Sequence, residues 1–539
     1  MTEKEDFYLR QNIQFEPLID QWYAWPHLIP PATSARNLTE RHLKIMDSYV
    51  SFPELHASAV KNPKLLGGPF IDYCGQRVDE IRQLRDRTIA ERANLIELSN
   101  ALDRLDQLLR ENAKGYSLQP LYPMVPASLR GYVELTYDLQ LHPSFRLIEP
   151  LLYKSSYYDR SRQSLMLSVT KDDNRPFVLS TPRLPSDDSI NLQCPFDDEI
   201  VDFLAQLKSE SKPWTEIKEK LAIPDSQDAL LRCFLTQEMP PPYPPYEGAG
   251  VRWRYFGHAC ILIEAYGRSL LFDPVLSYTY ESDISRYTYL DLPERIDYVL
   301  ITHNHQDHVL LETLLQIRNK IGTIVVPRNG GGSLQDPSLR LILENCGFKN
   351  VVEMSEMEEI CDNGVRIRAL PFLGEHGDLA ILTKMAWLIT IGRHSLLFAA
   401  DSCNVDPNLY RHIHREVGDV DALFLGMECD GAPMSWLYGP LMTQKPERGM
   451  DQSRRLAGSN FEQAMSIVDL FHCREAYVYA MGQEPWLNYV MSLKYTAESR
   501  PITESNRLID ACLRKGIVAE RLFGEKEILL DAVPDFFFK

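Results

Sequence analysis

The stretch that decides the fold is DYVLITHNHQDH, from Asp297 to His308. It begins as an apolar, β-branched run, which is typical of a buried strand. His303, His305, Asp307 and His308 follow at once. A solvent-exposed histidine-rich loop is the alternative, but H-x-H-x-D-H after an apolar strand is a tight spacing that suits metal binding. Imidazole suits zinc and iron, and carboxylate is a harder oxygen ligand. Because alternate loop residues can face one ion, His303 and His305 are predicted to share one metal, with Asp307 and His308 on a second.

Apolar or β-branched runs separated by turns continue on both sides of this stretch. They predict strands over 251–256, 259–265, 269–274, 323–327, 351–354, 365–372, 386–391, 395–401, 421–428 and 476–481, and the residues after the histidine loop predict a helix over 309–320. Many strands in a run, followed by strand–helix alternation, indicate two sheets with helices outside.

Five prolines between Gln237 and Gly248 predict a stiff, extended linker. We therefore divide the chain into an N-terminal domain over 1–239, a linker over 240–250 and a second domain over 251–539. Leucines at steps of four, three and four near residue 100 predict one long amphipathic helix within 76–112. Two strand-like stretches, 164–169 and 176–179, follow it. Nothing in this half indicates a chemistry.

Composition excludes several classes of protein. The chain has 539 residues with 57 Lys and Arg against 75 Asp and Glu, a net charge of −18. That balance argues against a protein that coats nucleic acid or an anionic membrane. We expect no signal peptide, because the charged start MTEKEDFYLR has no apolar core. We expect no membrane span, because no apolar run approaches about 20 residues. The ten cysteines are scattered without a C-x-x-C pair, which favours reduced thiols in a cytoplasmic protein.

The motif resembles that of the metallo-β-lactamase superfamily, an αββα sandwich with a metal site at one edge of its two sheets. On this resemblance Asp401, which ends the run SLLFAAD, matches the aspartate that bridges two metals. A turn or helix cap is the alternative for a strand-terminal aspartate. Asp273 matches an early structural aspartate and is expected to support the histidine loop rather than to bind metal.

Two departures from the superfamily pattern are informative. The second ligand group falls in FLGEHGD, where Glu375 precedes His376. Neighbours on an extended chain point opposite ways, so the two are not expected to bind the same ion. The sequence GQEPW after the run 476–481 lacks the usual last histidine, and His472, which precedes that run, is interpreted as structural.

With these two departures, the sequence resembles a narrower group, the diiron amino-acid β-hydroxylases of nonribosomal peptide biosynthesis. This group is the chloramphenicol-pathway β-hydroxylase family. The similar pattern is H-x-H-x-D-H, G-E-H-G-D, L-F-A-A-D and L-x-G-M-E, within about 251–530. The fold class implied is α+β, a C-terminal metallo-β-lactamase αββα sandwich with a large mixed α/β N-terminal domain. The resemblance implies six metal ligands: His303, His305 and Glu375 on one iron, Asp307 and His308 on the other, and Asp401 between them. Glu375 and Glu428 are the candidate catalytic residues, with Glu428 as ligand or hydrogen-bond partner.

The resemblance also implies the activity. The enzyme would be an O₂-dependent non-haem diiron monooxygenase with two Fe ions. It would β-hydroxylate an aromatic aminoacyl group held as a thioester on the carrier domain of a nonribosomal peptide synthetase. No Rieske pair is visible in the sequence, so an external electron donor is expected. A homodimer formed through a substrate-covering N-terminal domain is implied as well.

Docking of an acidic carrier would need a local basic surface. Gln444–Arg448 with Arg454 and Arg455 is a candidate, and a solvated loop is the alternative. Two other functions remain open at this point. One is a dinuclear zinc or manganese hydrolase of the same fold, acting on a lactone, amide or phosphodiester. The other is a non-catalytic interaction protein with a decayed site.

Overall fold

The computed structural model describes residues 5–531. The outer ends of the two predicted domains, residues 1–4 and 532–539, lie outside the described residues. The N-terminal part holds small sheets surrounded by helices. Its strands are β1 (Asp6–Leu9), β2 (Ile13–Ile19), β3 (Trp22–Tyr23), β4 (Val133–Tyr137), β5 (Pro143–Leu147), β6 (Gln163–Val169), β7 (Ser189–Leu192), β8 (Lys212–Pro213) and β9 (Leu235–Thr236). Its helices are α1 (Pro31–Asn37), α2 (Leu43–Ser51), α3 (Pro53–Ala59), α4 (Val78–Glu91), α5 (Ala93–Asn112), α6 (Glu149–Leu152), α7 (Glu199–Gln206), α8 (Trp214–Leu221) and α9 (Asp228–Phe234).

The second part alternates strands with helices. Its strands are β10 (Val251–Gly257), β11 (Cys260–Ala265), β12 (Arg268–Phe272), β13 (Ile296–Leu300), β14 (Ile321–Pro327), β15 (Val351–Met354), β16 (Glu359–Asp362), β17 (Val365–Leu370), β18 (Ala386–Ile391), β19 (His394–Phe398), β20 (Ala422–Gly426), β21 (Glu475–Tyr479), β22 (Val518–Arg521) and β23 (Lys526–Leu530). Its helices are α10 (Leu311–Ile317), α11 (Leu339–Asn345), α12 (Pro407–Val417), α13 (Met434–Tyr438), α14 (Arg448–Ser453), α15 (Phe461–Leu470), α16 (Asn488–Met491) and α17 (Arg500–Arg514).

These strands form two seven-stranded sheets of the same design. The first has the order β15-β14-β13-β12-β11-β10-β23, and the second β16-β17-β18-β19-β20-β21-β22. In each sheet an antiparallel half is continued by parallel strands, which begin at β12 and β19. A buried aromatic layer joins the sheets, with the rings of Phe272 and Phe398 stacked 4.0 Å apart. The two sheets therefore face each other, as predicted from the strand series.

Two predictions for the N-terminal part are wrong. The long helix over 76–112 is two helices, α4 and α5, because Arg92 between them leaves helical geometry at φ −114°. The guanidinium of Arg92 is buried and lies 3.2 Å from the carboxylate of Asp20. The stretch 176–179 is not a strand, since the Val178 amide donates to the Tyr489 carbonyl at 2.8 Å. This segment packs against the second part instead of joining a sheet.

A buried ionic cluster fastens the N-terminal part to the second part. The Arg175 guanidinium lies 2.7 Å from the Glu16 carboxylate and 2.8 Å from the Glu312 carboxylate of helix α10. The hydroxyls of Tyr23 and Tyr278 donate to the same Glu312 side chain at 2.9 and 2.6 Å. The helix that follows the histidine loop is thus anchored by residues from both parts. Among helices within residues 5–531, none has both the length and the apolarity needed to cross a membrane.

Candidate metal centre

The histidine loop leaves the carboxyl end of strand β13 and is fixed there by Asp273. The Thr302 amide donates to one Asp273 oxygen at 2.7 Å, and the Thr302 hydroxyl donates to the other at 2.6 Å. Asp273 follows the neighbouring parallel strand β12 and is fully buried. Its second oxygen also lies 2.8 Å from Nδ1 of His308. Asp273 therefore orients the loop without facing the cluster itself, in the supporting role predicted for it.

The first group of converging ligand atoms comprises His303, His305 and Glu375. Nδ1 of His305 lies 2.9 Å from Oε1 of Glu375, and Nε2 of His303 lies 3.8 Å from Oε2 of Glu375. Glu375 stands in the loop after β17, in the second sheet. The two sheets therefore each contribute to this group, and all three residues are buried.

Asp401 links the first group to a second one. Its Oδ2 atom lies 3.8 Å from Nε2 of His303 and 3.0 Å from Nε2 of His308. The same His308 nitrogen lies 3.7 Å from Oδ2 of Asp307. Asp401 follows β19, so its position at the edge between the sheets is that expected of a bridging carboxylate. All six predicted ligands thus converge, although which atoms bind metal stays a prediction.

Glu428, the other candidate catalytic residue, is placed differently. It follows β20, is half-buried, and lines the same cavity as Glu375 and Asp401. It belongs to no group of converging ligand atoms among the described residues. Burial, reinforced by the neighbouring carboxylates, raises its pKa well above the usual value. Its role as ligand or hydrogen-bond partner stays a prediction.

The argument that separated Glu375 from His376 was wrong in its premise. It assumed an extended chain, but Glu375 has a left-handed backbone with φ +68° in a tight turn. Both side chains consequently point toward the cluster, with Nδ1 of His376 3.1 Å from Oε2 of Glu375. The His376 ring lies 4.6 Å from that of His305. His376 is therefore a neighbour of the first group, but it belongs to no group of converging ligand atoms among the described residues, so the expectation that it does not share an ion with Glu375 stays a prediction.

Two further residues near the centre were not predicted. His258 lies in the turn between β10 and β11, and its Nε2 is 3.1 Å from Oδ2 of Asp307. A histidine directly after a buried strand was the available signal. The Tyr438 hydroxyl lies 2.9 Å from Nε2 of His305 and is buried in helix α13. A tyrosine 133 residues from its partner carries no local signal. His472, interpreted as structural, sits on the surface beside Asp419 at 2.8 Å.

The donor set fits two bound cations. Ligand atoms about 2.1 Å from one ion lie roughly 3.0–3.4 Å apart, close to the 3.0–3.8 Å separations of the facing nitrogens and oxygens here. Three buried atoms in the centre have no hydrogen-bond partner: Nε2 of His303, Oε2 of Glu375 and Oδ1 of Asp401. Buried polar atoms of this kind normally have partners, so these unpaired atoms point to an ion between them.

The electrostatics favour the same conclusion. Burial and the neighbouring imidazoles hold the pKa of His303 well below its usual value, which keeps the ring in its neutral, ligating form. Burial raises the pKa of Glu375 to about 7. The Asp401 and Asp307 carboxylates add to this rise, and a multivalent cation would offset the repulsion among the three carboxylates.

A cavity of about 410 Å³ opens onto the centre. His305, Glu375 and Asp401 line its inner end, and its wall includes apolar side chains from both parts of the chain: Leu66, Trp436, Leu437, Leu456, Met491 and Leu493. Two neighbouring cavities of about 460 and 560 Å³ meet it at Gly67. The size and apolar lining are those of a small-molecule site.

The chain is similar to known proteins along nearly its whole length. Residues 8–240 match the family model described as diiron non-heme beta-hydroxylase N-terminal domain, and residues 268–469 match the beta-lactamase superfamily domain. The 4-amino-L-phenylalanyl-[CmlP-peptidyl-carrier-protein] 3-hydroxylase of Streptomyces venezuelae is 40% identical over 531 residues, covering 97% of this chain and 99% of that protein.

Solved structures agree with these matches. The crystal structure of CmlA, a diiron beta-hydroxylase from Streptomyces venezuelae, has a TM-score of 0.92 and 39% identity, covering 98% of this chain and 100% of that chain. A mutant of the CmlA beta-hydroxylase has a TM-score of 0.89 and 39% identity, covering 97% and 100% of the two chains. The predicted αββα fold with its large N-terminal domain is confirmed.

Proposed function

Because the chain belongs to the diiron non-haem β-hydroxylase family, we propose that it hydroxylates the β-carbon of an aminoacyl group tethered to a peptidyl carrier domain. The relative that is 40% identical over 97% of this chain is named as a 3-hydroxylase of a carrier-bound amino acid. The enzyme is a non-haem diiron monooxygenase, with two iron ions as cofactor and O₂ as co-substrate. The hydrolase alternative is not favoured by these relationships.

The observation that carries the proposal is the composition of the centre. Three imidazoles and three carboxylates converge, all buried except the partly exposed Asp307, with Glu375 where the metallo-β-lactamase pattern has a histidine. We propose that His303, His305 and Glu375 hold one iron, that Asp307 and His308 hold the other, and that Asp401 bridges them. Carboxylates suit this chemistry because they change denticity and, as anions, stabilise the higher oxidation states of iron. Bound iron would supply the redox chemistry that activates O₂.

The protein's own residues bind and orient the reactants. Asp273 accepts a hydrogen bond from the His308 ring on one side of the centre. The Tyr438 hydroxyl contacts the His305 ring on another side. These contacts fix ring orientation, which sets how ligands meet a metal. The half-buried carboxylate of Glu428 faces the same cavity and is proposed to hold a hydrogen-bond partner there. The buried inner end of the cavity would limit water around the reacting carbon.

The substrate side chain is proposed to be aromatic. The cavity wall offers an indole and several aliphatic side chains, Trp436, Leu437, Leu456 and Met491. Of these, Leu437 is 1% exposed and Leu456 is 8% exposed, so they present a fixed apolar surface. A planar ring buries a large apolar area against such a wall.

The domains and partners of the chain are also proposals. We propose that residues 1–239 form a substrate-covering and dimerising domain, 240–250 a linker, and 251–539 the catalytic domain. Leu66 from the first domain lies in the cavity wall, which supports the covering role. The apolar side chains of Phe52 and Leu139 are exposed, and we propose that a contact with a second copy covers them. Sedimentation of the purified protein tests the homodimer.

The electron donor and the compartment complete the proposal. The cysteines are free, and no group of converging ligand atoms within residues 5–531 contains a cysteine, which supports an electron donor outside the chain. An external reductase or ferredoxin would supply the electrons. Free thiols also suit the reducing cytoplasm, where we propose that the enzyme acts.

Hydroxylation is tested by intact-protein mass spectrometry. Iron-loaded, chemically reduced enzyme is mixed with aromatic aminoacyl-carriers and O₂. The C–H bond becomes C–OH, one O₂ and two electrons with two protons are consumed, and one water is released. We expect the carrier to gain one oxygen atom, labelled when ¹⁸O₂ is used and absent without oxygen. Release of the free amino acid without oxygen uptake would instead indicate thioester hydrolysis and refute the proposal.

A further inference from the structure

The cavity above the metal centre has a buried inner end and an exposed outer end. His305, Glu375 and Asp401 are buried at the inner end, whereas Arg500 and Asp430 are exposed where the cavity opens. Arg455 lies beside this opening and is half-buried. We call the opening formed by Asp430, Arg455 and Arg500 the cavity mouth.

The two arginines at the cavity mouth lack carboxylate partners among the described residues. The Arg455 side chain donates to Oε1 of Gln452 at 2.8 Å and to the Asp430 carbonyl at 3.0 Å. Its Nε atom is buried and has no hydrogen-bond partner. Glu504, one turn along helix α17 from Arg500, is engaged at 2.6 Å by Arg507 and at 2.9 Å by the Phe461 amide. No described carboxylate lies within 4.0 Å of either guanidinium.

We propose that Arg455 and Arg500 bind the phosphodiester of the phosphopantetheine arm that presents the substrate. The inference rests on the proposed function, since a carrier-bound amino acid arrives on such an arm. The aminoacyl end must reach the buried centre, which leaves the neutral arm in the cavity and its phosphodiester outside, at the mouth. Guanidinium groups match phosphate oxygens in charge and in planar donor geometry. Asp430 is exposed and lines the same mouth, and its negative charge would favour the arginine side for the anion.

The two neighbouring cavities suit this role less well. One is lined by Lys494 and Arg175, but Arg175 is already paired with Glu16 and Glu312, and no predicted metal ligand lines that cavity. The other is lined by Lys44, whose ammonium group is paired with Glu40, and by Lys445. Neither lining includes a residue of the metal centre. The basic segment predicted for carrier docking, Gln444–Arg448 with Arg454 and Arg455, stays a prediction, and of these residues only Arg455 lines the cavity above the metal centre.

Binding of two probes by the iron-loaded enzyme tests this subsite. Calorimetry compares phosphopantetheine with pantetheine, which is the same arm without the phosphate. We expect the wild-type enzyme to bind phosphopantetheine about tenfold more tightly, because charge-assisted hydrogen bonds are among the strong ones. The double variant Arg455→Gln with Arg500→Gln should lose that preference while its affinity for pantetheine stays within about twofold. The preference should also fall as salt is raised.

Controls separate this inference from the broader proposal. Arg448→Gln removes an exposed arginine of the same region that lies outside the cavity lining, and it should keep the preference. Iron content and melting temperature show that the double variant is folded. Equal binding of the two probes by wild type, or a preference that survives in the double variant, would overturn the subsite. An effect seen only with an intact carrier would also overturn it, by assigning the arginines to the carrier's acidic face. Hydroxylation of an aminoacyl-carrier is measured in a separate assay. Its absence would refute the proposed function and not the phosphate subsite.

Discussion

Asp273 and His308 form a fully buried pair, with Oδ2 of the aspartate 2.8 Å from Nδ1 of the histidine. This contact leaves Nε2 of His308 facing Asp401 at 3.0 Å. Burial alone would lower the pKa of His308, but Asp307, Asp273 and Asp401 together raise it well above its usual value. The His308 ring is therefore held in one orientation by a carboxylate on its far side, as in many metal sites.

The first prediction concerns that carboxylate. Asp273→Asn should lower the affinity for the iron next to His308 by about 10- to 100-fold, because the supporting acceptor is weakened. The iron next to His303 should be retained more strongly. Iron titration with Mössbauer spectroscopy measures both. Asp362→Asn, which alters an aspartate paired with Arg268 at 2.9 Å on the surface, is the matched control. Two irons bound with wild-type affinity in both variants would contradict the role given to Asp273.

The second prediction separates two ligands of the other iron. His305→Ala should lower iron content, because it removes a ring whose Nδ1 lies 2.9 Å from Glu375. Glu375→Asp should keep some iron but perturb turnover, since a shorter carboxylate changes the geometry while keeping the charge. Iron analysis and the oxygen-insertion assay give the two readouts. Unchanged iron and unchanged turnover in both variants would refute the ligand assignment.

The sequence predicted those parts of the centre that depend on local patterns. For the loop from His303 to His308 and for Asp401, the sequence indicates both the type of ligand and its place in the fold. This is possible because an apolar run identifies the strand that presents each of them. His258 and Tyr438 were missed because each reaches its partner from a distant segment, 49 residues away for His258 and Asp307. The turn at Glu375 was missed although Gly374 and Gly377 flank it, because Glu375 is itself not a residue type that marks a left-handed backbone.

The strands likewise divide into those that the sequence predicted and those that it missed. The strands from β10 to β15 and from β17 to β21 were predicted within a few residues, since they are apolar runs of ordinary length. Edge strands β16, β22 and β23 were missed because their side chains are mostly half-buried or exposed and show weaker patterns. In the N-terminal part, β3, β8 and β9 span two residues each. Two residues are too few for a hydrophobic period to be visible.

The third prediction concerns the contact between Trp436 and Gly67. The indole N–H of Trp436 donates to the Gly67 carbonyl at 2.9 Å, where three cavities meet. Trp436→Phe removes this donor but keeps the stacking on Phe177, whose ring centroid is 6.1 Å away. We expect a loss of about 0.5–1.5 kcal/mol in local stability and faster amide exchange over residues 63–70.

Hydrogen exchange with mass spectrometry of the iron-loaded protein makes that measurement. Trp214→Phe, in helix α8 and away from the cavities, should leave exchange in residues 63–70 unchanged. Iron content should stay at the wild-type level in both variants. Exchange that is equally slow in Trp436→Phe and in wild type would show that the hydrogen bond does not hold this loop.

The fourth prediction concerns Arg175 in the junction between the two parts. Arg175→Met leaves the buried carboxylates of Glu16 and Glu312 short of a cation, which should cost about 3–5 kcal/mol of unfolding free energy. Arg146→Met, which breaks an exposed pair with Glu134, should cost at most about 1 kcal/mol. Denaturant unfolding measures both. Equal losses in the two variants would contradict the buried cluster's role.

The same cluster sets a dependence on acid. Burial raises the pKa of Glu16, but Arg183 and Arg175 outweigh it and lower the folded-state pKa below the ordinary value of 4.5. A carboxylate with a depressed folded pKa contributes stability above about pH 4.5 that is lost as the pH falls through the folded value. We therefore expect the unfolding free energy of the wild type to fall as the pH drops below about 4.5. The unfolding free energy of Glu16→Gln should fall less steeply over the same range. An unchanged slope would show that Glu16 does not contribute to it.

The last prediction concerns Lys208, which is 1% exposed and whose Nζ donates to Oε1 of Gln316 at 2.7 Å. Burial lowers its pKa from 10.5 to about 7, although Glu312 acts in the opposite direction. Between these two values the unfolded chain binds more protons than the folded chain, so the unfolding free energy should rise with pH over that window. Lys208→Met should remove this rise and be more stable than wild type near pH 7. Urea unfolding at pH 7, 8 and 9 measures the slope, with Lys526→Met, from an exposed pair with Glu520, as the control that keeps it. A wild-type slope in Lys208→Met would mean that the buried ammonium remains charged throughout, stabilised by Gln316 and the Tyr278 ring 4.8 Å away.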